Sequence, residues 1–210
     1  SFEHAMDMLR IGSGMMLIQD LNWFHTSTDD VLLGWRGGAA QLGVYNRAYQ
    51  LFIMPRTLIS GPLQSVYVPL LSRLQDDPEA WKEAYLDALL ALTLLSAVLG
   101  AILCFAADPI VTVIYGPQWG DVRPVFRGLV LSTFLASPAA SCSWVLISLG
   151  KIRASIHWQV FASTIFVSAF AAGLPFGPIG VAWGYAASML LLAPIYMIFT
   201  YFQVDPAFRP

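Results

Sequence analysis

The sequence predicts an all-α, polytopic membrane protein built as a bundle of six membrane-spanning helices. Hydrophobic residues make up 57% of the 210 residues and charged residues only 11%, against about 25% charged in a typical soluble domain. Residues 154–204 contain no Asp, Glu, Lys or Arg and are interrupted only by a Gly/Pro cluster at 173–178. Because about 20 apolar residues cross the roughly 30 Å of bilayer hydrocarbon, this segment supplies two crossings and a tight turn.

Six stretches have the length and polarity of membrane spans. Residues 88–107 and 128–150 hold no charged residue. Two other stretches are less pure, since residues 11–28 carry Asp20 and residues 39–72 carry Arg47 and Arg56. The approximate predicted spans are 7–28, 39–72, 83–107, 122–150, 153–173 and 179–203. Residues 1–210 are therefore expected to form a single transmembrane domain.

The second span is unusually long. As a helix, residues 39–72 would measure about 50 Å, more than the hydrocarbon thickness. We expect bends at Pro55, Gly61-Pro62 and Pro69, because proline removes a backbone donor and clashes with the preceding turn. The freed carbonyls need water or neighbouring helices, so this kinked helix is predicted to face protein or a cavity along part of its length.

Short polar connectors join the spans, and two carry helix-start signals. Asp77 followed by Pro78 predicts a capped helix start. Asp108-Pro109, with Gly116 as a stop, predicts a short interfacial helix at 109–116. If the connectors alternate sides, six basic residues lie on the side of the two termini and three on the other. By the positive-inside rule, both termini are expected in the cytoplasm.

Composition and motifs exclude several function classes. A net charge of −2 without a basic cluster argues against nucleic acid as a partner. The sequence shows no Ser/His/Asp order, no Gly-rich phosphate loop and no metal-ligand spacing, so no catalytic residue, cofactor or metal is expected. Cys104 and Cys142 lie in apolar runs and are interpreted as buried small hydrophobic residues.

The arginines of the second span are the leading candidates for function, because an ionisable side chain at membrane depth is costly without a partner or water. At 100° per residue, Arg47 and Arg56 lie on roughly opposite helix faces. The Arg56 face also carries Tyr45, Tyr49 and Phe52, and the Arg47 face carries Asn46 and Gln50. Either guanidinium could hold an anionic group such as phosphate. Alternatively, each pairs with Asp20 or Asp29, or extends to the headgroups.

The first span carries a polar stripe. Asn22, Thr26 and Asp29 share one helical face with His25 near its edge, whereas Asp20 points away. Asn22 and Asp29 are candidate substrate-pathway residues. His25 is either a proton-coupling group or a structural hydrogen-bonding residue, and Asp20 is either an ion or proton site or the neutralising partner of an arginine.

Several segments, in their order and spacing, carry a resemblance to a known family. They are DDVLLG at 29–34, GAAQLGVYNRAYQL at 38–51, VPLLSRLQDD at 68–77, GPQW at 116–119 and GPIGVA at 177–182. In these segments the chain resembles the Wzx-type polysaccharide and lipopolysaccharide flippases of the multidrug/oligosaccharidyl-lipid/polysaccharide exporter superfamily.

This resemblance implies one half of a transporter made of two pseudo-symmetric bundles around a central cavity. The chain looks like the second bundle, so a first, N-terminal bundle is expected as its partner. The implied activity is alternating-access transport, across the bacterial inner membrane, of a lipid-linked oligosaccharide on a polyprenyl pyrophosphate for lipopolysaccharide or exopolysaccharide synthesis. A pyrophosphate beside Arg47 or Arg56 would suit the guanidinium fork.

Three other functions remain open on the sequence alone. An ion-coupled multidrug or cation antiporter of the same fold would depend on Asp20 or Asp29. A membrane glycan polymerase or ligase would be expected to carry a long polar loop, and the longest connector, 108–124, is short. The third is a structural fragment that does not transport.

Overall fold

The computed structural model describes residues 2–204, except for the side chains at 2–11, 13–15, 19, 22, 25, 26 and 137. Within that part of the chain, all regular structure is helical, which confirms the all-α prediction. The α-helices are α1 (Phe2–Arg73), α2 (Pro78–Phe105), α3 (Ala107–Tyr115), α4 (Val122–Leu131), α5 (Thr133–Ser148), α6 (Ile152–Gly173) and α7 (Gly177–Gln203). Two 3₁₀ turns lie at Pro117–Trp119 and Leu174–Phe176.

Helix α1 consists of two limbs that meet at Gly38, whose dihedrals are non-helical at φ 70° and ψ −177°. The Tyr45 hydroxyl donates a 2.6 Å hydrogen bond to Asp29, although a straight helix would separate these residues by about 24 Å. The chain therefore folds back at Gly38. The polar connector expected at 29–38 is instead helical up to residue 37, because polar residues extend a helix that has already nucleated and only the glycine interrupts it.

The second limb, residues 39–73, keeps helical dihedrals through Pro55, Pro62 and Pro69. Bends at these prolines stay a prediction, since a helix can curve at proline without leaving the helical region. The limb ends at Arg73, and a short connector joins it to α2 at Pro78.

Helix α2 begins with the predicted signal. Helix α3 does not, because Ala106 precedes it without a side-chain cap and Asp108 lies inside its first turn. Asp77 caps α2 by accepting a 3.2 Å hydrogen bond from the Ala80 amide, with Pro78 in the first turn. Helix α3 ends at Gly116, whose φ of 88° favours glycine. It begins at Ala107, two residues before the predicted 109–116 segment.

The predicted span 122–150 is two helices with a break at Ser132. Its segments Val122–Ala136 and Pro138–Ser148 are inclined by 46°. Pro138 lacks the amide that would bond to the carbonyl of residue 134, which accounts for a bend at this position.

Helices α6 and α7 form a tight antiparallel hairpin. The backbones of Gly173 and Gly180 touch, and the ring of Trp158 stacks on Tyr196 with centroids 4.3 Å apart. Gly177 turns the chain with a φ of 66°. In the described residues, length and apolarity identify two helical stretches able to cross a membrane, Pro78–Phe105 and the 52-residue Ile152–Gln203, with the bent α4/α5 pair as a third.

The connectors gather alternately at the two ends of the bundle. At one end, Lys151 Nζ donates to the Gln203 carbonyl oxygen and Gln75 Nε2 to that of Ser148. At the other end, the α1 turn, the start of α4 and the α6/α7 turn surround a common cavity. This alternation is what helices that each cross a bilayer require.

Candidate functional site

The exposed faces of α2 and of the second limb of α1 differ in polarity. Helix α2 exposes apolar side chains: Leu86, Leu90, Leu94, Val98, Ile102 and Phe105. The second limb of α1 exposes what we call the polar stripe: Arg47, Gln50, Thr57, Gly61, Gln64 and Ser65. The stripe also includes two exposed apolar residues, Met54 and Leu58. Because polar groups facing lipid are costly, the α2 face suits lipid and the polar stripe suits water or another protein surface.

Arg47 lies on the polar stripe and is positioned by aromatic rings. Its guanidinium carbon lies 5.3 Å from the ring centroid of Tyr115 and 5.5 Å from that of Trp119. The Tyr115 hydroxyl donates a 3.2 Å hydrogen bond to the Arg47 carbonyl oxygen. Such cation–π contacts contribute about 0.5–2 kcal/mol and leave the charge un-neutralised. The ion pairs found among described residues, Lys82 with Glu79 and Arg127 with Asp108, do not include Arg47.

Helix α3, which holds Tyr115, is itself braced by α4. Arg127 Nη2 lies 2.6 Å from Asp108 Oδ2, and Arg123 Nη2 donates a 3.0 Å hydrogen bond to Thr112 Oγ1. These two contacts fix α3 against α4, and they thereby fix the position of Tyr115 beside Arg47.

Arg56 points toward the interior of the bundle. Its side chain is half-buried, its Nη1 donates a 3.4 Å hydrogen bond to the Tyr185 hydroxyl of α7, and its guanidinium carbon lies 5.9 Å from the Phe52 ring centroid. Arg56 and Arg47 are thus on opposite faces of the limb, as the helical spacing indicated.

A row of aromatic rings leads from Asp29 to Arg56. The centroid distances are 6.1 Å for Tyr45–Tyr49, 5.9 Å for Tyr49–Phe52 and 5.8 Å for Phe52–Tyr185. Asp29 is only 2% exposed and accepts hydrogen bonds from the Tyr45 hydroxyl and the Asp30 amide. Among the described contacts, the carboxylate is satisfied by these donors rather than by an arginine.

The other predicted residues are placed as follows. Gln50 is exposed on the polar stripe, Asn46 is half-buried beside it, and Asp20 is exposed on the first limb. The side chains of Asn22 and His25 lie outside the described residues.

The sequence analysis missed Tyr185 and Tyr115. A tyrosine in an apolar helix is a usable signal, since its buried hydroxyl needs a partner. The partner of Tyr185 is 129 residues away, so spacing along the chain could not have paired it with Arg56.

Comparison with known proteins decides the family. The profile of the family described as "Polysaccharide biosynthesis protein" matches residues 1–124, more than half of the chain. The chain belongs to this family. The matched region includes Asp29, Arg47, Arg56, Tyr115 and Trp119.

Three curated relatives are also named as biosynthesis proteins. The chain is 26% identical to the lipopolysaccharide biosynthesis protein WzxC of Escherichia coli, over 92% of this chain and 39% of the relative. It is 26% identical to the amylovoran biosynthesis protein AmsL of Erwinia amylovora, over 76% and 41%. It is 25% identical to the teichuronic acid biosynthesis protein TuaB of Bacillus subtilis, over 86% and 38%. The chain thus spans about two fifths of the length of these polysaccharide biosynthesis proteins.

Solved structures show the fold. An outward-facing multidrug resistance transporter of the MATE family, in the MOP superfamily, superposes with a TM-score of 0.84 at 17% identity, covering 97% of this chain and 47% of that one. A MOP superfamily transporter from Pyrococcus furiosus gives 0.75 at 16% identity, covering 94% and 45%. The predicted resemblance and the half-transporter fold are therefore confirmed: this polysaccharide biosynthesis family member is a membrane protein with the fold of about half a MOP transporter.

Proposed function

We propose that the protein moves lipid-linked glycan precursors across the bacterial cytoplasmic membrane for synthesis of lipopolysaccharide or exopolysaccharide. The observation that carries this proposal is the polar stripe, a helix face that exposes Arg47 without a carboxylate partner among the described residues. The family description and the names of the relatives support a role in polysaccharide biosynthesis, and the transporter fold supports transport as that role.

The substrate group that fits Arg47 is a pyrophosphate on a polyprenyl lipid. A guanidinium presents a planar fork of donors that matches phosphate oxygens, and the Tyr115 and Trp119 rings orient it in advance. Arg56, held by Tyr185 inside the bundle, is a second candidate contact.

Alternating access needs a second surface opposite the stripe. A MOP-type transporter rocks two bundles around a site near the bilayer midplane, and this chain corresponds to about half of such a transporter. A first bundle of the same protein would face the polar stripe and complete the cavity. The apolar face of α2 would contact membrane lipid, and the excess of basic residues at the end holding Lys151 would place the termini in the cytoplasm.

Replacing Arg47 in the full-length protein tests the proposal. We expect Arg47→Gln to lower export of the polysaccharide about tenfold or more, since a charge-assisted hydrogen bond is worth about 1.5–3 kcal/mol. The undelivered lipid-linked precursor should accumulate in the inner leaflet. Arg47→Lys, which keeps the charge without the fork, should give an intermediate rate.

Arg73→Gln is the matched control, because Arg73 is an exposed arginine at the end of the same limb and outside the stripe. It should export normally. Normal export by Arg47→Gln, at the normal amount of protein in the membrane, would overturn the proposed role of the stripe.

A further inference from the structure

A cavity of about 290 Å³ opens at the end of the bundle where the α1 limbs turn. It lies between the start of the second limb, the start of α4 and the tip of the α6/α7 hairpin. The lining residues that matter here are Gln41, Asp121, Pro124, Phe176, Pro178 and Ile179. None of these residues belongs to the polar stripe or to the aromatic row.

Two polar side chains, Gln41 and Asp121, line the cavity. The Gln41 amide oxygen lies against Gly37 and 3.3 Å from where a Cβ would stand on Gly177, so the amide occupies room that both glycines leave free. Asp121 precedes α4, yet its carboxylate makes no capping hydrogen bond. Both side chains are exposed.

The remaining wall of the cavity is an apolar platform. Phe176 is 77% exposed although it sits on a rigid element, the 3₁₀ turn of a hairpin whose glycine backbones touch. Pro178 and Ile179 continue this surface. An exposed ring on a fixed turn offers a flat contact at little cost in conformational entropy.

We propose that this cavity binds a neutral sugar ring of the transported glycan, an inference that rests on the proposed function. A sugar hydroxyl both donates and accepts hydrogen bonds, and the Gln41 amide does the same, while the Asp121 carboxylate accepts only. The C–H face of the ring packs on Phe176. The size of the cavity, near the lower limit of about 300 Å³ for ligand pockets, suits a single ring.

The charge of Asp121 separates this site from that of Arg47. A carboxylate repels phosphate, so the cavity disfavours the pyrophosphate end of the substrate and selects the sugar end. The two sites would then hold different parts of one amphipathic molecule.

Binding to the purified full-length protein tests the inference with two probes. One is the neutral oligosaccharide released from the exported glycan by mild acid, free of lipid and phosphate. The other is polyprenyl pyrophosphate without sugar. Gln41→Leu and Phe176→Ala should weaken oligosaccharide binding about tenfold and leave polyprenyl pyrophosphate binding unchanged, whereas Arg47→Gln should do the reverse. Phe105→Ala, at a phenylalanine that is 91% exposed on α2, should change neither affinity.

The outcomes separate this inference from the proposed function. Unchanged oligosaccharide affinity in both cavity variants would overturn the sugar site. If polyprenyl pyrophosphate still bound normally, the proposed function would remain. Oligosaccharide binding that needs Gln41, without any pyrophosphate binding, would support the sugar site and contradict the proposed function.

Two further measurements cover a cavity variant that does not fold and a cavity that binds cations instead of sugar. If Gln41→Leu or Phe176→Ala is not monodisperse, Asp121→Asn serves instead, since this exposed, non-capping residue should tolerate the change and still lose oligosaccharide affinity. Retained affinity in a folded Asp121→Asn protein would count against the site. Displacement of the oligosaccharide by tetraphenylphosphonium, with cation binding lost in Asp121→Asn, would identify a cation site and overturn the inference.

Discussion

The hydroxyl of Tyr45 donates a 2.6 Å hydrogen bond to Oδ2 of Asp29 across the fold of α1 at Gly38. Tyr45 is 1% exposed and Asp29 is 2% exposed. A buried carboxylate is costly unless it is hydrogen-bonded, so this bond fixes how the two limbs of α1 meet. It thereby orients the second limb, which carries the polar stripe.

Tyr45→Phe should destabilise the protein by about 1.5–3 kcal/mol, the worth of a hydrogen bond to a charged group. The double variant Asp29→Asn with Tyr45→Phe should cost less than the sum of the two single changes, since removing both partners leaves no unpaired charge. Thermal unfolding of the full-length protein in detergent measures both effects.

Tyr85→Phe is the control for the loss of a tyrosine hydroxyl. Its hydroxyl lies 3.4 Å from the neutral Ser141 hydroxyl, so its removal should cost less. Equal costs for Tyr45→Phe and Tyr85→Phe, with additive effects at Asp29, would show that the Asp29 bond does not hold the limbs together.

Gly38→Ala should destabilise the fold by about 1–3 kcal/mol, because a side chain is strained at a φ of 70°. Gly61→Ala is the matched control on the same limb. A Cβ at either glycine would have no heavy atom within 4 Å, so neither variant adds a clash. Gly61 is helical, where alanine is favoured over glycine, so Gly61→Ala should not destabilise the fold. The unfolding midpoint of each variant provides the comparison, and equal midpoints would contradict the sharp turn at Gly38.

How far the sequence predicts this structure depends on the range of each interaction. Asp77 as a helix cap and Gly116 as a helix stop are local signals, and both were predicted. The turn at Gly38 was predicted as a ten-residue connector, because charged residues at 29, 30 and 36 are typical of a loop between spans, whereas only Gly38 leaves the helical conformation. The opposite faces of Arg47 and Arg56 follow from helical geometry alone, whereas their aromatic partners come from distant helices and needed the structure.

Tyr185→Phe tests whether Arg56 takes part in transport. The change keeps the ring that packs on Phe52 but removes the hydroxyl that Arg56 contacts at 3.4 Å. We expect export to fall several-fold, because Arg56 loses the hydroxyl that orients its guanidinium. The unfolding temperature should fall only slightly, since the contact is long and part-buried.

Tyr196→Phe is the control on the same helix. Tyr196 is buried and stacks on Trp158, away from Arg56, and its change should leave export normal. If both variants export alike, the contact between Tyr185 and Arg56 is structural only.

If the proposed function is correct, the polar stripe lines the translocation path, and cysteine accessibility can show whether it does. In a cysteine-free version of the full-length protein, single cysteines would replace Gln50, Thr57 and Ser65 on the stripe and Leu94 and Val98 on α2. A charged, membrane-impermeant thiol reagent would be applied to both faces of the membrane. We predict that the stripe cysteines react and that lipid-linked glycan slows them, while the α2 cysteines stay unreactive in lipid. Stripe cysteines as unreactive as those of α2 would show that the stripe does not line a water-filled path.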